Sequence, residues 1–124
     1  MSKVAILRCA QNSMRCPLTS CFKCLTACQQ GFARYDQAEL AGVFTLPATL
    51  EETVELARIL KAKGAEAIHA VTCAFAHKGD GGWTLGNGFQ PDLDDRLRAA
   101  AQATDLPCVK GTAHLPAGYA PEVF

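Results

Sequence analysis

The sequence has no excess charge of either sign: twelve Lys and Arg stand against twelve Asp and Glu, with three His besides. Nucleic-acid and anionic-membrane binders usually carry a basic surplus, so the balance argues against both partners. Long apolar runs are missing too. The longest near the N-terminus, Val4-Ala5-Ile6-Leu7, stops at Arg8, too short for a secretory or membrane-spanning segment. Neither G-x-S-x-G, H-E-x-x-H nor a Walker pattern occurs. Gly79-x-Gly81-Gly82 lacks the strand–turn–helix setting of a phosphate loop. No side chain stands out as a general base.

What is present reads as one packed domain over residues 1–124, 49% hydrophobic and 19% charged. A cytoplasmic protein is the default expectation, and self-association into a homo-oligomer is left open. Seven cysteines break this ordinary profile: Cys9, Cys16, Cys21, Cys24, Cys28, Cys73 and Cys108. An odd number without an export signal does not read as a disulfide framework. Reduced thiols point to packing, metal binding or redox chemistry.

Val4 to Leu7 is a continuous apolar run of the kind found in strands buried on both faces. After Pro17, Thr19-Ser20 offers an N-cap for a helix from about Cys21 to Arg34, with Cys21, Cys24, Leu25, Cys28 and Phe32 along one stripe. Leu40 to Phe44 reads as a second strand. Thr49 stands three residues before Glu52, a capping-box signature for a helix over Leu50 to Lys63 that ends at Gly64. Ala67 to Thr72 is a third strand. The 18 residues from Ala74 to Pro91, holding five of the ten glycines, read as a long loop. Asp92 to Thr104 forms a third helix and Leu106 to Lys110 a fourth strand, before a tail without clear helix. This alternation predicts an α/β fold: a small open, mostly parallel four-stranded sheet of flavodoxin-like order 2-1-3-4, with helices on both faces.

In such a sheet, ligands bind beyond the carboxyl ends of the strands. Those ends deliver Cys9 and then Cys16, Thr72-Cys73, and Gly111-Thr112 followed by His114. Thiolate and imidazole together select zinc or another thiophilic transition metal. Cys9 and Cys73 read equally as ligands or as small buried residues, whereas Cys16, beside Pro17 in a loop, favours function. Cys21, at a helix N-terminus, is open to either role. The spacing Cys16-x4-Cys21-x2-Cys24 copies part of a plant-type iron–sulfur site, but a helix would bury Cys24 and Cys28 as packing residues, which argues against a cluster. His69 reads as a hydrogen-bonded core histidine and His77 as solvated. Trp83 reads either as a packer of the 74–91 loop, acting as a lid, or as an exposed partner-binding aromatic.

Val4-Ala5-Ile6-Leu7-Arg8-Cys9, Cys16-Pro17-Leu18-Thr19, Gly31-Phe32, Ala67-Ile68-His69-Ala70-Val71-Thr72-Cys73 and Val109-Lys110-Gly111-Thr112-Ala113-His114 together resemble the CGGC-domain family across nearly the whole chain. The resemblance implies a small domain rich in Cys and His for which a zinc- or metal-binding role has been proposed. Carried onto this sequence, it supports Cys9, Cys16, Cys73 and His114 as site positions. Two segments depart from the family's pattern. Thr45-Leu46-Pro47-Ala48 stands where the naming tetrad falls, and Gln90-Pro91-Asp92 stands where relatives tend to place Cys-Pro-His.

The leading expectation is therefore a domain binding a thiophilic metal, zinc first, through Cys9, Cys16, Cys21, Cys73 and His114. Two alternatives accompany it. One is a thiol redox or transfer enzyme using Cys16 or Cys21; the other is a small-molecule-binding scaffold without metal.

Overall fold

The computed structural model describes residues 1–124. Along the chain run β1 (Ser2–Arg8), α1 (Thr19–Ala27), β2 (Ala38–Thr45), α2 (Leu50–Ala62) and β3 (Ala67–Ala70). Then follow β4 (Ala76–Gly79), β5 (Gly82–Leu85), α3 (Leu93–Thr104) and β6 (Cys108–Lys110). Four strands make one sheet in the order β2-β1-β3-β6, with every neighbouring pair parallel. The sheet is thus wholly rather than mostly parallel. Val4 to Leu7 occupies the centre of β1 and is completely buried, as its unbroken apolar run requires between two neighbouring strands. β3 is buried along its full length beside it.

The two edges differ. The open side of β6 is covered by the tail: Lys110 N–H donates to the Glu122 carbonyl at 2.9 Å, and Phe124 N–H donates to the Cys108 carbonyl at 2.8 Å. β2, at the other edge, carries a register shift against β1 between Val4 and Ala5.

Helix α2 forms as its capping box predicts. The Thr49 hydroxyl accepts from the Glu52 amide at 3.1 Å, and Gly64 closes the C-terminal end at φ +103°. Helix α1 departs from expectation at both ends. Its N-cap is Leu18 in a left-handed conformation, with no side-chain cap from Thr19 or Ser20. It stops at Ala27, with Cys28 left-handed at φ 53°, instead of running to Arg34. The cause is tertiary. Gly31 is pressed so closely against Gly111 that a Cβ would lie 2.3 Å from the Gly111 carbonyl oxygen, and a continuous helix could not make that approach.

The stretch expected as a structureless loop is an antiparallel ribbon, β4 on β5, turning at Asp80-Gly81 with Gly79 opposite Gly82. The Asp-Gly dipeptide is a hairpin signal. His77 is not free in solvent: its Nδ1 lies 2.7 Å from the Gly86 carbonyl. Trp83 is half-buried and stacks on His114, which ties the ribbon to the tail.

Arg96, buried to 3% exposure on α3, organises the segment after β2. Its Nη1 donates to the carbonyls of Pro47 (2.8 Å) and Thr49 (3.2 Å) and to the Thr53 hydroxyl (2.9 Å). Its Nη2 donates to the Ala48 carbonyl at 2.9 Å, and its Nε to the Asp92 carboxylate at 3.0 Å. A planar fork with five donors can serve all of these acceptors at once.

Candidate functional site

The chain leaves β1 for β2 on one side and returns to β3 on the other, and it is beyond the carboxyl ends of such a strand pair that open α/β sheets hold ligands. Leu7 lies opposite Ala70, and Val71 N–H donates to the Leu7 carbonyl at 3.0 Å. Continued past the strands, that register sets Cys9 level with Thr72, and the helical turn Thr72–Ala74 carries Cys73 to it. Their Sγ atoms are 3.3 Å apart. Cys9 is 2% exposed, whereas Cys73 is half-buried.

Either thiol could donate across this contact; the surroundings choose. Cys73 is lowered to about 7, chiefly by the hydrogen bond with Cys9, and further by the Asn12 side chain, its own backbone amide and the Arg8 guanidinium. Cys9 is pushed up by the same bond and by burial, so of the two it holds its proton the more tightly. Arg8 also shapes the loop that covers the pair: its Nη2 donates to the carbonyls of Asn12 (3.1 Å) and Cys16 (2.7 Å).

Two further sulfurs belong to the expected set. Cys16 accepts from the Leu18 amide at 3.4 Å. Cys21, on the first turns of α1, lies 3.2 Å from the Thr112 hydroxyl. Burial raises its pKa, opposed by hydrogen bonds from Thr112 and Ala113. The low thiol of the site is therefore Cys73, not Cys21. Thr72 and Thr112 tie the ends of β3 and β6 together: Thr112 N–H donates to Thr72 Oγ1 at 3.2 Å, and Thr72 Oγ1 donates to the Ala113 carbonyl. A cleft of about 380 Å³, lined by Ala10, Gln11, Leu46, Pro47, Phe89 and Arg96, opens next to the Cys9 loop.

Of the five expected site residues, Cys9 and Cys73 are in contact, and Cys21 lies on the Thr112 hydroxyl at the rim. His114 follows on the same rim. It is exposed, left-handed at φ 55°, and its ring lies 5.4 Å from Trp83 at 8° to it, with no hydrogen bond to any thiol. Cys108 is fully buried and raised to about 12 by desolvation; Cys24 and Cys28 are half-buried on and after α1. Thr112 stands at the strand end expected for it, whereas Arg8 and Asn12 had no expected site role, although the Arg8-Cys9 dipeptide at a strand end carried a usable signal.

His69 is the core histidine expected. Its Nδ1 donates to the Gly111 carbonyl at 2.8 Å, its Nε2 accepts from the Tyr35 hydroxyl at 2.7 Å, and Phe32 lies against its ring at 4.5 Å. Burial lowers it to about 4, so it is neutral and structural. It holds Gly111, and with it Thr112, at the rim.

No three Cys, His, Asp or Glu side chains stand together as a preformed metal-holding group. The donor chemistry is nonetheless soft: two thiols in contact, of which Cys73 is the more acidic. That set suits a thiophilic ion, and as folded it offers two sulfurs at once. At the departing segments noted above, this chain has the Arg96 clamp joining Pro47, Ala48 and Asp92, with no sulfur there.

An α/β domain with a wholly parallel four-stranded sheet and two thiols in contact past its strand ends defines the class. The chain matches the CGGC domain family over residues 3–113, and it belongs to that family. No curated protein and no solved structure matches it. No helix is long and apolar enough to cross a membrane.

Proposed function

We propose that this domain binds a thiophilic metal ion, zinc first, between Cys9 and Cys73, with Cys16 and Cys21 as further donors. The observation that carries this reading is the 3.3 Å approach of two thiols 64 residues apart, beyond the carboxyl ends of parallel strands, where α/β sheets hold ligands. The metal-binding role proposed for the family supports it. Cys73 is the first donor, because it is the more acidic of the two and a metal requires thiolate. Cys9 follows by giving up its proton. Arg8 and Asn12 keep the covering loop in place and offset negative charge as thiolates gather. When bound, the ion supplies either a structural cross-link of the strand ends or a Lewis acid beyond them. His114, stacked on Trp83, is not among the donors of this proposal.

We also read the fold as doubly wound and flavodoxin-like. Right-handed crossovers put α1 on one face and α2 with α3 on the other, in keeping with the packing of α2 on α3. Seven free thiols fit a reducing, cytoplasmic setting.

Elemental analysis of protein purified without chelator tests the metal reading. About one equivalent of zinc or another soft metal is expected. Less than about a tenth of an equivalent, with stability unchanged in chelator, would refute it.

A further inference from the structure

Cys9 and Cys73 differ in one respect that metal binding does not use. As a residue Cys73 is half-buried and Cys9 is buried, yet the two sulfurs touch. A half-buried cysteine backed by a buried one already in contact with it has the layout of an attacking and a resolving cysteine. The sulfurs stand 3.3 Å apart, against about 2.05 Å in a disulfide, so the couple closes a gap of little more than an ångström. No other sulfur is hydrogen-bonded to either one.

We propose that Cys73 and Cys9 form a reversible dithiol–disulfide couple, oxidised by small-molecule disulfides, that switches the site between a sulfur-donor state and a closed state. The exchange runs in two displacements. The Cys73 sulfur attacks one sulfur of the reagent disulfide; that S–S bond breaks, and the leaving thiolate takes up a proton. The Cys9 sulfur, losing its proton, then attacks Cys73 and expels the second reagent thiol. Two electrons pass from the protein pair to the reagent, which leaves as two thiols. Excess small-molecule thiol reverses both steps. As regulation of the site, this rests on the metal-binding reading, since the disulfide withdraws the two contacting donors; the couple itself does not depend on metal.

The test uses full-length, reduced, metal-free protein incubated with oxidised glutathione under chelator, then mapped with trypsin. Cleavage after Arg8, Arg15, Lys63 and Lys78 places Cys9 and Cys73 on separate peptides, and both away from Cys16 and Cys21. The expected result is a Cys9–Cys73 linked pair, a fall in free thiols from seven to five, and full reversal by excess glutathione. Oxidised protein should then take up no zinc. Cys9→Ala should trap glutathione on Cys73 as a persistent mixed disulfide. Stable glutathione adducts on the wild type without the 9–73 link, or a link through Cys16 or Cys21 instead, would overturn the couple. A 9–73 link in protein whose reduced form binds no zinc upholds the couple and refutes the metal reading. Zinc uptake by reduced protein that forms no link does the reverse.

Discussion

Gly31 lies against Gly111 with its Cα hydrogen where a Cβ would sit 2.3 Å from the carbonyl oxygen and 2.8 Å from the Thr112 amide nitrogen. Its own N–H donates to the Thr112 carbonyl at 2.8 Å. Through this contact the segment after α1 is seated on the end of β6, beside the Thr112 hydroxyl that faces Cys21.

Gly31→Ala should therefore destabilise the domain by about 3 kcal/mol, since backbone cannot yield as a flexible side chain would. Urea unfolding of the variant measures this directly. A loss below about 1 kcal/mol would mean that the two segments separate freely.

His69 makes stability depend on pH. Its pKa falls from 6.5 in the unfolded chain to about 4 in the fold, because burial disfavours the imidazolium. Between those values the unfolded chain binds the extra proton, so stability is full above about 6.5 and declines as pH drops toward 4. The loss from this group is on the order of 3 kcal/mol across that window. His69→Gln should flatten that part of the profile while lowering stability at pH 7, where Tyr35 and Gly111 lose a partner. An NMR titration placing His69 near 6.5 in the folded protein would contradict this account.

Arg96→Lys keeps the charge but loses the fork. One ammonium cannot reach the carbonyls of Pro47, Ala48 and Thr49 together with Asp92, so buried acceptors lose their donors. Stability should fall by about 3 kcal/mol, with faster amide exchange on the segment after β2. Wild-type stability in this variant would show the clamp to be dispensable.

Locally encoded features were legible in the sequence. The Thr49–Glu52 cap, the buried run of β1 and the placing of Cys9 directly after it follow from a few neighbouring residues each, whereas β3 stops at Ala70, short of the expected Thr72, and Cys73 stands on the helical turn Thr72–Ala74. The end of α1 was not, because it is dictated by the approach of Gly31 to Gly111, 80 positions away. The β4–β5 ribbon was obscured by its polar, glycine-rich composition, and only Asp80-Gly81 announced it. His114 stands on the expected rim, but the Trp83 ring that claims it arrives on that same ribbon. The contact of Cys9 with Cys73 depends on strand register, which residue order alone does not convey.

Cadmium titration of the reduced, metal-free protein, followed by thiolate-to-metal charge-transfer absorption, tests the metal centre most directly. The wild type should develop the band and saturate at about one equivalent. Cys73→Ser and Cys9→Ser should each lose most of it, while Cys24→Ser should match the wild type. Absence of the band in folded wild-type protein, or its survival at full strength in both the Cys9 and Cys73 variants, would contradict a metal centre built on this pair.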